Sequence, residues 1–385
     1  MSLEVTRMKR EEFEDGVDFI NMVFSQNSVP HDFKNLMPKW IREDKTQYNV
    51  IVKRDGRIRA NIMAAPADIR MAGHELLGYG IGNVSTHLDE RRQGFMRMAM
   101  TRALDDIIAD GADLIFLGGQ RQRYGYYGFD RCGIRYNCTI EPRNFRHVHI
   151  DAPAYSFEPL TGLEDPALLM IRKLYEAAPV RVERGDDADF YRSLIMWRCE
   201  PSVCRNENGD FVGYLCTNVD GDSIMEAYAT EEGLVLGMLQ GWFEQRHPAR
   251  ISMGVAPWRR TFLRELTRMC DSLTAAPDHS YRILHWDRVT QALMDVKAGY
   301  CPLPDGLVVL EIGQWGRLAL QVKSGRPECA ETKLPADAVL TEFEAMRALF
   351  GPAEPGVTVR LPEKAEMLLD AWCPLPLSWH SLDNV

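Results

Sequence analysis

The 385-residue chain lacks several features whose absence narrows its possible roles. Positive charge is not in excess: 55 Asp and Glu against 45 Lys and Arg leave a net charge of −10. That argues against nucleic acid as the main partner, because binding a phosphate backbone requires a clustered cationic face. Long apolar runs are missing too. Stretches such as Leu114–Leu117 fall far short of the roughly 20 residues that span a bilayer, so no membrane is expected as partner. No two of the nine cysteines form a CxxC pair, which leaves no zinc knuckle or tight disulfide framework to expect. Reduced thiols in a cytoplasmic protein are the expectation. The opening MSLEVTRMKREEFED turns charged at once, without the apolar core of a signal peptide. No metal is expected either, since the closest histidine pair, His147 and His149, has no third ligand in a matching pattern.

The composition that remains is that of an ordinary globular chain, with 45% hydrophobic and 26% charged residues, and its length suits two or three domains at roughly 150 residues each. The first stretch reads as strand, helix, hairpin, long strand, helix and buried strand. In EEFEDGVDFINMVF, Phe13, Val17, Ile20 and Phe24 recur on one helical face. Asp55-Gly56 between two β-rich runs marks a hairpin turn. A long strand is predicted from about Gly78 to Thr86. GFMRMAMTRALDDIIADG is predicted to be a helix ended by Gly111, and LIFLGG a buried strand bordered by glycines. From about Ala152 to Ala276 the order repeats in fainter form, with a three-strand meander turning at Asn208-Gly209 and Asp220-Gly221. Ala275 to His279 reads as a linker. A helix, a hairpin with Gly313 and Gly316 at its turn, and two later helices complete the chain.

The richest chemical signal is Asn83–Arg97, NVSTHLDERRQGFMR. A strand ends, a short loop carries Arg91, Arg92 and Gly94, and a helix opens at once. Unpaired N–H groups and the positive end of a helix dipole, with a glycine that permits close approach, make a seat for pyrophosphate. A second signal, Gly118–Phe129, GGQRQRYGYYGF, follows the buried strand. Its Tyr124 is the candidate general acid, because a departing thiolate requires a proton and a tyrosine of ordinary pKa near 10 supplies one. Tyr126, Tyr127 and Phe129 read as wall aromatics.

Together these segments resemble the GNAT acetyltransferases, whose coenzyme loop [Q/R]-x-x-G-x-[G/A] stands here as Arg91-Arg92-Gln93-Gly94-Phe95-Met96, with Met96 where the family prefers Gly or Ala. The resemblance implies acetyl-CoA as cosubstrate, contacted by Val84, Ser85, Thr86, Arg92, Gln93, Gly94, Phe95, Met96 and Arg97, with Gly119 and Gln120 near the thiol end. The layout of the whole chain resembles the enhanced intracellular survival family. That implies an α/β (α+β) fold of mixed sheets flanked by helices: a GNAT domain over 1–150, a second GNAT-like domain over 151–280, and a sterol-carrier-like domain over 281–385. The second domain carries Thr230-Glu231-Glu232-Gly233 where the first has its arginines, and two carboxylates there would repel pyrophosphate. One coenzyme per chain is therefore expected. The same resemblance implies a C-terminal carboxylate as base, here that of Val385 at the end of SWHSLDNV, with His380 a further candidate, and a homo-oligomer, often a hexamer.

The function this points to is transfer of an acetyl group to a primary amine of a small molecule, such as an aminoglycoside, a polyamine or a lysine-like compound. The alternatives are an acyl-CoA or lipid-binding protein without catalysis, or an N-acyltransferase for longer chains.

Overall fold

The computed structural model describes residues 2–27, 29–147 and 154–385, so most of the His147–His149 pair lies outside the described residues. Its strands form three sheets. The first is built from β1 (Leu3–Arg7), β2 (Asn49–Arg54), β3 (Arg57–Met71), β4 (His74–Thr86), β5 (Leu114–Leu117) and β6 (Asp130–Cys132). Its hairpin turns at Asp55 and Gly56, both with positive φ, the turn whose twist matches the flanking strands. Strands β1 to β4 pair antiparallel, and β5 then pairs parallel to β4. Helix α1 (Phe13–Asn27) follows β1, and the short helix α2 (Phe33–Leu36) follows it. The apolar stripe of α1 is buried at Phe13, Val17, Ile20 and Val23. Between β4 and β5 runs α3 (Phe95–Ala109), whose Ala99, Met100, Ala103, Leu104 and Ile107 are buried as their spacing requires. A short helix, α4 (Arg121–Tyr124), follows β5.

The second sheet takes β7 (Arg135–Ile140), β8 (Ser156–Pro159), β10 (Glu200–Arg205), β11 (Phe211–Thr217), β12 (Ser223–Ala229), β13 (Ile251–Val255) and β14 (Leu273–Ala276), in the order β14-β7-β13-β12-β11-β10-β8. The intervening β9 (Val180–Val182) pairs instead with the far end of β3. From β8 inward the sheet repeats the plan of the first: a run of antiparallel neighbours, then one parallel pair, β12 with β13. The third sheet is β18-β17-β16-β19, from β16 (Gly306–Ile312), β17 (Gly316–Lys323), β18 (Arg326–Glu331) and β19 (Ala338–Leu340).

Sequence reading and structure part at Ala275–His279. That segment is not a linker but the junction of two paired strands. β14 lies beside β7, and β15 (His279–Ile283) enters the first sheet between β5 and β6. Asp278 at the junction is buried and paired with Arg135 at 2.6 Å. The sheets thus exchange strands: β7 precedes residue 150 yet joins the second sheet, and β15 follows the second sheet yet joins the first. Among the described residues, no helix is long and apolar enough to cross a membrane, and no group of three or more His, Cys, Asp or Glu side chains could hold a metal ion.

Candidate coenzyme cleft and transfer site

The site is organised by a fork between two parallel strands. β4 and β5 stay in register from Gly78–Leu114 to Ile81–Leu117. There β5 ends, while β4 continues to Thr86. A bulge falls at the same point: Asn61 faces Ser85 and Met63 faces Gly82, so β4 carries an extra residue, and Asn83 takes a φ of 51°. Bulges increase twist and re-aim side chains. The Asn83 carbonyl accepts from Asn61 Nδ2 at 3.3 Å and Ser85 Oγ at 3.1 Å. This leaves the Val84–Thr86 end of β4 diverging from β5.

Beside the fork lies a cleft of about 650 Å³, lined by Val84, Ser85, Thr86, Arg91, Arg92 and Gly94, and further by Phe95, Met96 and Arg97. Nine residues singled out in the sequence therefore meet in one cavity. The loop reaches the helix through Arg92 at φ 67° and Gly94 at φ 84°, both left-handed. The first bond of α3 runs from the Met98 N–H to the Gly94 carbonyl at 3.0 Å. The N–H groups of Phe95, Met96 and Arg97 thus fall outside the helix ladder, at the positive end of its dipole. Met96 is half-buried and lines the cleft wall.

Five further residues line the cleft: Val23, Phe24, Glu90, Arg123 and Tyr127. Arg123 adds a fourth exposed arginine to Arg91, Arg92 and Arg97. Glu90 does not oppose them freely, because Arg54 holds it at 2.6 Å and also lies 4.9 Å over the Phe95 ring. The field at the cleft is cationic on an acidic chain, which suits a phosphate-bearing ligand. Sequence reasoning missed Arg123 as a lining residue and had Tyr127 only as a wall aromatic of its own loop. Their spacing of four, flanking Tyr124, was the signal that one face of that short turn looks into the cleft. Tyr126 is not a wall residue at all, being 90% exposed, whereas Phe129 is buried as expected.

Three of the expected contacts lie elsewhere. Gln93 turns away to donate to Glu90 at 2.8 Å, and Gly119 and Gln120 sit at the start of α4. Tyr124 is buried in the apolar cluster beneath α3, with Ile81, Leu117 and Phe95. Its ring packs against Gly119, where any Cβ would collide with it. Burial raises the Tyr124 pKa, with Arg123 pulling weakly the other way, so the phenol stays protonated.

Val385 lies on the other face of the same strand. Successive side chains of β4 alternate, with Tyr79 and Ile81 towards α3 and Gly80 and Gly82 towards α1. A Cβ on Gly82 would stand 2.7 Å from the Val385 carbonyl carbon, and one on Gly80 would strike the Val385 side chain. The alternating glycines of YGIGN therefore mark a close approach of chain to strand, a signal the sequence held. His380 is buried away from this cleft, with its Nε2 2.7 Å from the Tyr228 hydroxyl. It lines a second cavity, of about 450 Å³, where β12 parts from β13. His87, the histidine nearest the loop, accepts from the Asp89 N–H at 3.3 Å and caps a turn.

Comparison with known proteins agrees with this geometry. Residues 4–132 match the acetyltransferase (GNAT) domain family. No curated protein matches the chain significantly. Among solved structures, a GCN5-related N-acetyltransferase from Anabaena variabilis superimposes with a TM-score of 0.70 at 14% identity, covering 100% of both chains. One from Kribbella flavida gives 0.69 at 15%, covering 100% of this chain and 98% of its own. Eis1 from Mycobacterium abscessus gives 0.68 at 13%, covering 100% of both. The chain carries the GNAT domain signature over residues 4–132 and shares the fold of these solved structures along its length.

Proposed function

We propose that the protein transfers an acetyl group from acetyl-CoA to the primary amine of a small molecule. The observation that carries this reading is the four-arginine cleft at the N-terminus of α3, opening onto the fork of β4 and β5. The helix N–H groups and arginines suit the pyrophosphate. The unpaired edge of β4 beyond Ile81 suits an extended amide-bearing arm, which would add to it as a strand does. In the reaction the neutral amine attacks the thioester carbonyl carbon, the tetrahedral intermediate collapses, and the carbon–sulfur bond breaks. Tyr124 donates its proton to the leaving sulfur, and the amine's proton passes to a base on the α1 face. Where Val385 is the last residue, its carboxylate is that base.

The reading extends to one coenzyme per chain, to a closed homo-oligomer, hexameric by resemblance, in the cytoplasm, and to a sterol-carrier-like domain over 281–385 that is required for activity without binding sterol. The test is coenzyme A release from acetyl-CoA across polyamines, aminoglycosides and lysine-like amines. Amine-dependent release is expected. Tight coenzyme binding with no release for any amine would favour a carrier without catalysis, and release only from long-chain acyl-CoA would favour a longer-chain acyltransferase.

A further inference from the structure

A fully buried cluster of charge lies outside the cleft. Arg184 has no side-chain exposure and holds two carboxylates that are equally enclosed. Its Nε and Nη2 reach the two oxygens of Asp383 at 2.7 and 3.0 Å, and its Nη1 and Nη2 reach those of Glu226 at 3.1 and 2.6 Å. The guanidinium lies 3.8 Å over the Tyr175 ring, whose hydroxyl is 3.0 Å from Asp383. Tyr214 donates to Glu226 at 2.5 Å. Burial drives the pKa of nearby Lys39 down to about 8, against the pull of Asp383.

These groups come from distant parts of the chain. Arg184 follows β9, which is paired to β3 of the first sheet, and Glu226 lies on β12 of the second. Asp383 belongs to the tail. A buried triad of this kind is a poor source of stability, since apolar replacements of like volume often do as well or better. What it supplies is direction, because a planar fork engaged by two carboxylates fixes both. Two residues beyond Asp383, Val385 rests on Gly82. Leu382 and Val385 join the same apolar cluster as Val23 and Phe24, the α1 residues that line the coenzyme cleft. Trp379 steadies the tail's other end, edge-on to Phe116 of β5 at 4.9 Å and donating to Asn384 at 3.1 Å.

We propose that Arg184 is a positioning residue for the acceptor side of the transfer site: by clamping Asp383 it seats residues 382–385 on the glycines of β4, where they form the wall against which the amine is presented. The inference rests on the acetyl-transfer reading above. It is tested in the full-length chain with Arg184→Lys, Asp383→Asn and Gly82→Ala. The first two loosen the clamp, and the third leaves the clamp intact and pushes the tail off the strand.

Three quantities are measured: acetyl-CoA affinity by calorimetry, kcat and KM for the amine, and deuterium uptake of the 376–385 peptide. The expected result is unchanged acetyl-CoA affinity, faster exchange in the tail, and a kcat for amine acetylation lower by on the order of tenfold to a hundredfold, as misplacement near a reacting centre produces. A general loss of stability would lower the calorimetric stoichiometry in step with kcat, whereas lost positioning lowers kcat at unchanged stoichiometry. Faster tail exchange with normal kcat and KM would overturn the proposal, as would unchanged exchange in both clamp variants. Should Arg184→Lys fail to fold, the other two variants carry the test. If the wild-type chain acetylates no amine, the transfer reading fails, and the exchange data still decide whether Arg184 holds the tail.

Discussion

In the first sheet β4 and β5 run together from Gly78 to Ile81 before parting, whereas in the second β12 and β13 are paired only at Ser223 and Ile224. Both forks open a cavity. At the first stand Arg91, Arg92, Arg97 and Arg123, all exposed and lining the cleft. At the second, Arg259 is nearly enclosed, bonded to Glu232 at 2.9 Å and to the Ala227 carbonyl at 2.9 Å, and the tail from Ser378 to Ser381 lines the cavity. Its cation is already neutralised and part of its space is filled by chain. The same strand plan makes the proposed coenzyme seat in one case and a packing surface in the other, and the difference lies in loop chemistry, not topology.

The largest expected effect separates the two units at the chemical step. After β13 the chain runs Ala256-Pro257-Trp258-Arg259, with no tyrosine to match Tyr124. Tyr124→Phe keeps the ring and its packing, so steady-state kinetics should show turnover lower by about a hundredfold or more at nearly unchanged coenzyme affinity. Weaker coenzyme binding at intact turnover would make Tyr124 a wall residue like its neighbour Tyr127. Next in size is the binding step. Arg92→Ala and Arg97→Ala should each weaken acetyl-CoA binding by roughly 1–3 kcal/mol, the worth of a charge-assisted contact. The calorimetric stoichiometry of the wild type should be one. A second binding event would break the distinction drawn between the clefts.

A smaller effect concerns pH. In the proposed mechanism the protonated form of Tyr124 is the active one, and burial raises its pKa, so activity should be retained below the ordinary value of about 10 and lost only above it. Initial rates from pH 7 to 10 should show no alkaline decline from this group. A decline that disappears in Tyr124→Phe would show its pKa to be lowered instead. The smallest expected effect is that of Tyr126→Phe. Its ring is 90% exposed, so turnover and coenzyme affinity should both equal those of wild type, and any sizeable loss would mean that the loop presents a different tyrosine to the sulfur.

What the sequence made legible was local. The Asp55-Gly56 turn, the apolar stripe of α3 and the strand-loop-helix passage through Arg91–Gly94 depend on neighbours within a turn or two, and the structure has each where its residues require it. The tail was the opposite case. SWHSLDNV is polar, yet Ser378, Asp383 and Asn384 are buried. Its partner is an arginine about two hundred positions earlier, and no periodicity signals such a pairing. The insertion of β15 was hidden for a related reason. Pro277-Asp278 looks like punctuation, and nothing in its composition tells that the chain on either side pairs with two different sheets.

That insertion bears on how the protein is made. Strand β5 is flanked by β4 on one side and β15 on the other, but β15 is translated long after it. At ~5–20 residues per second, the ribosome delivers His279–Ile283 on the order of ten seconds or more after Leu117. During that interval the apolar strand LIFL has an open edge, the kind of template on which nascent chains mispair. The sheet behind the candidate cleft is therefore completed only after His279–Ile283 have been made.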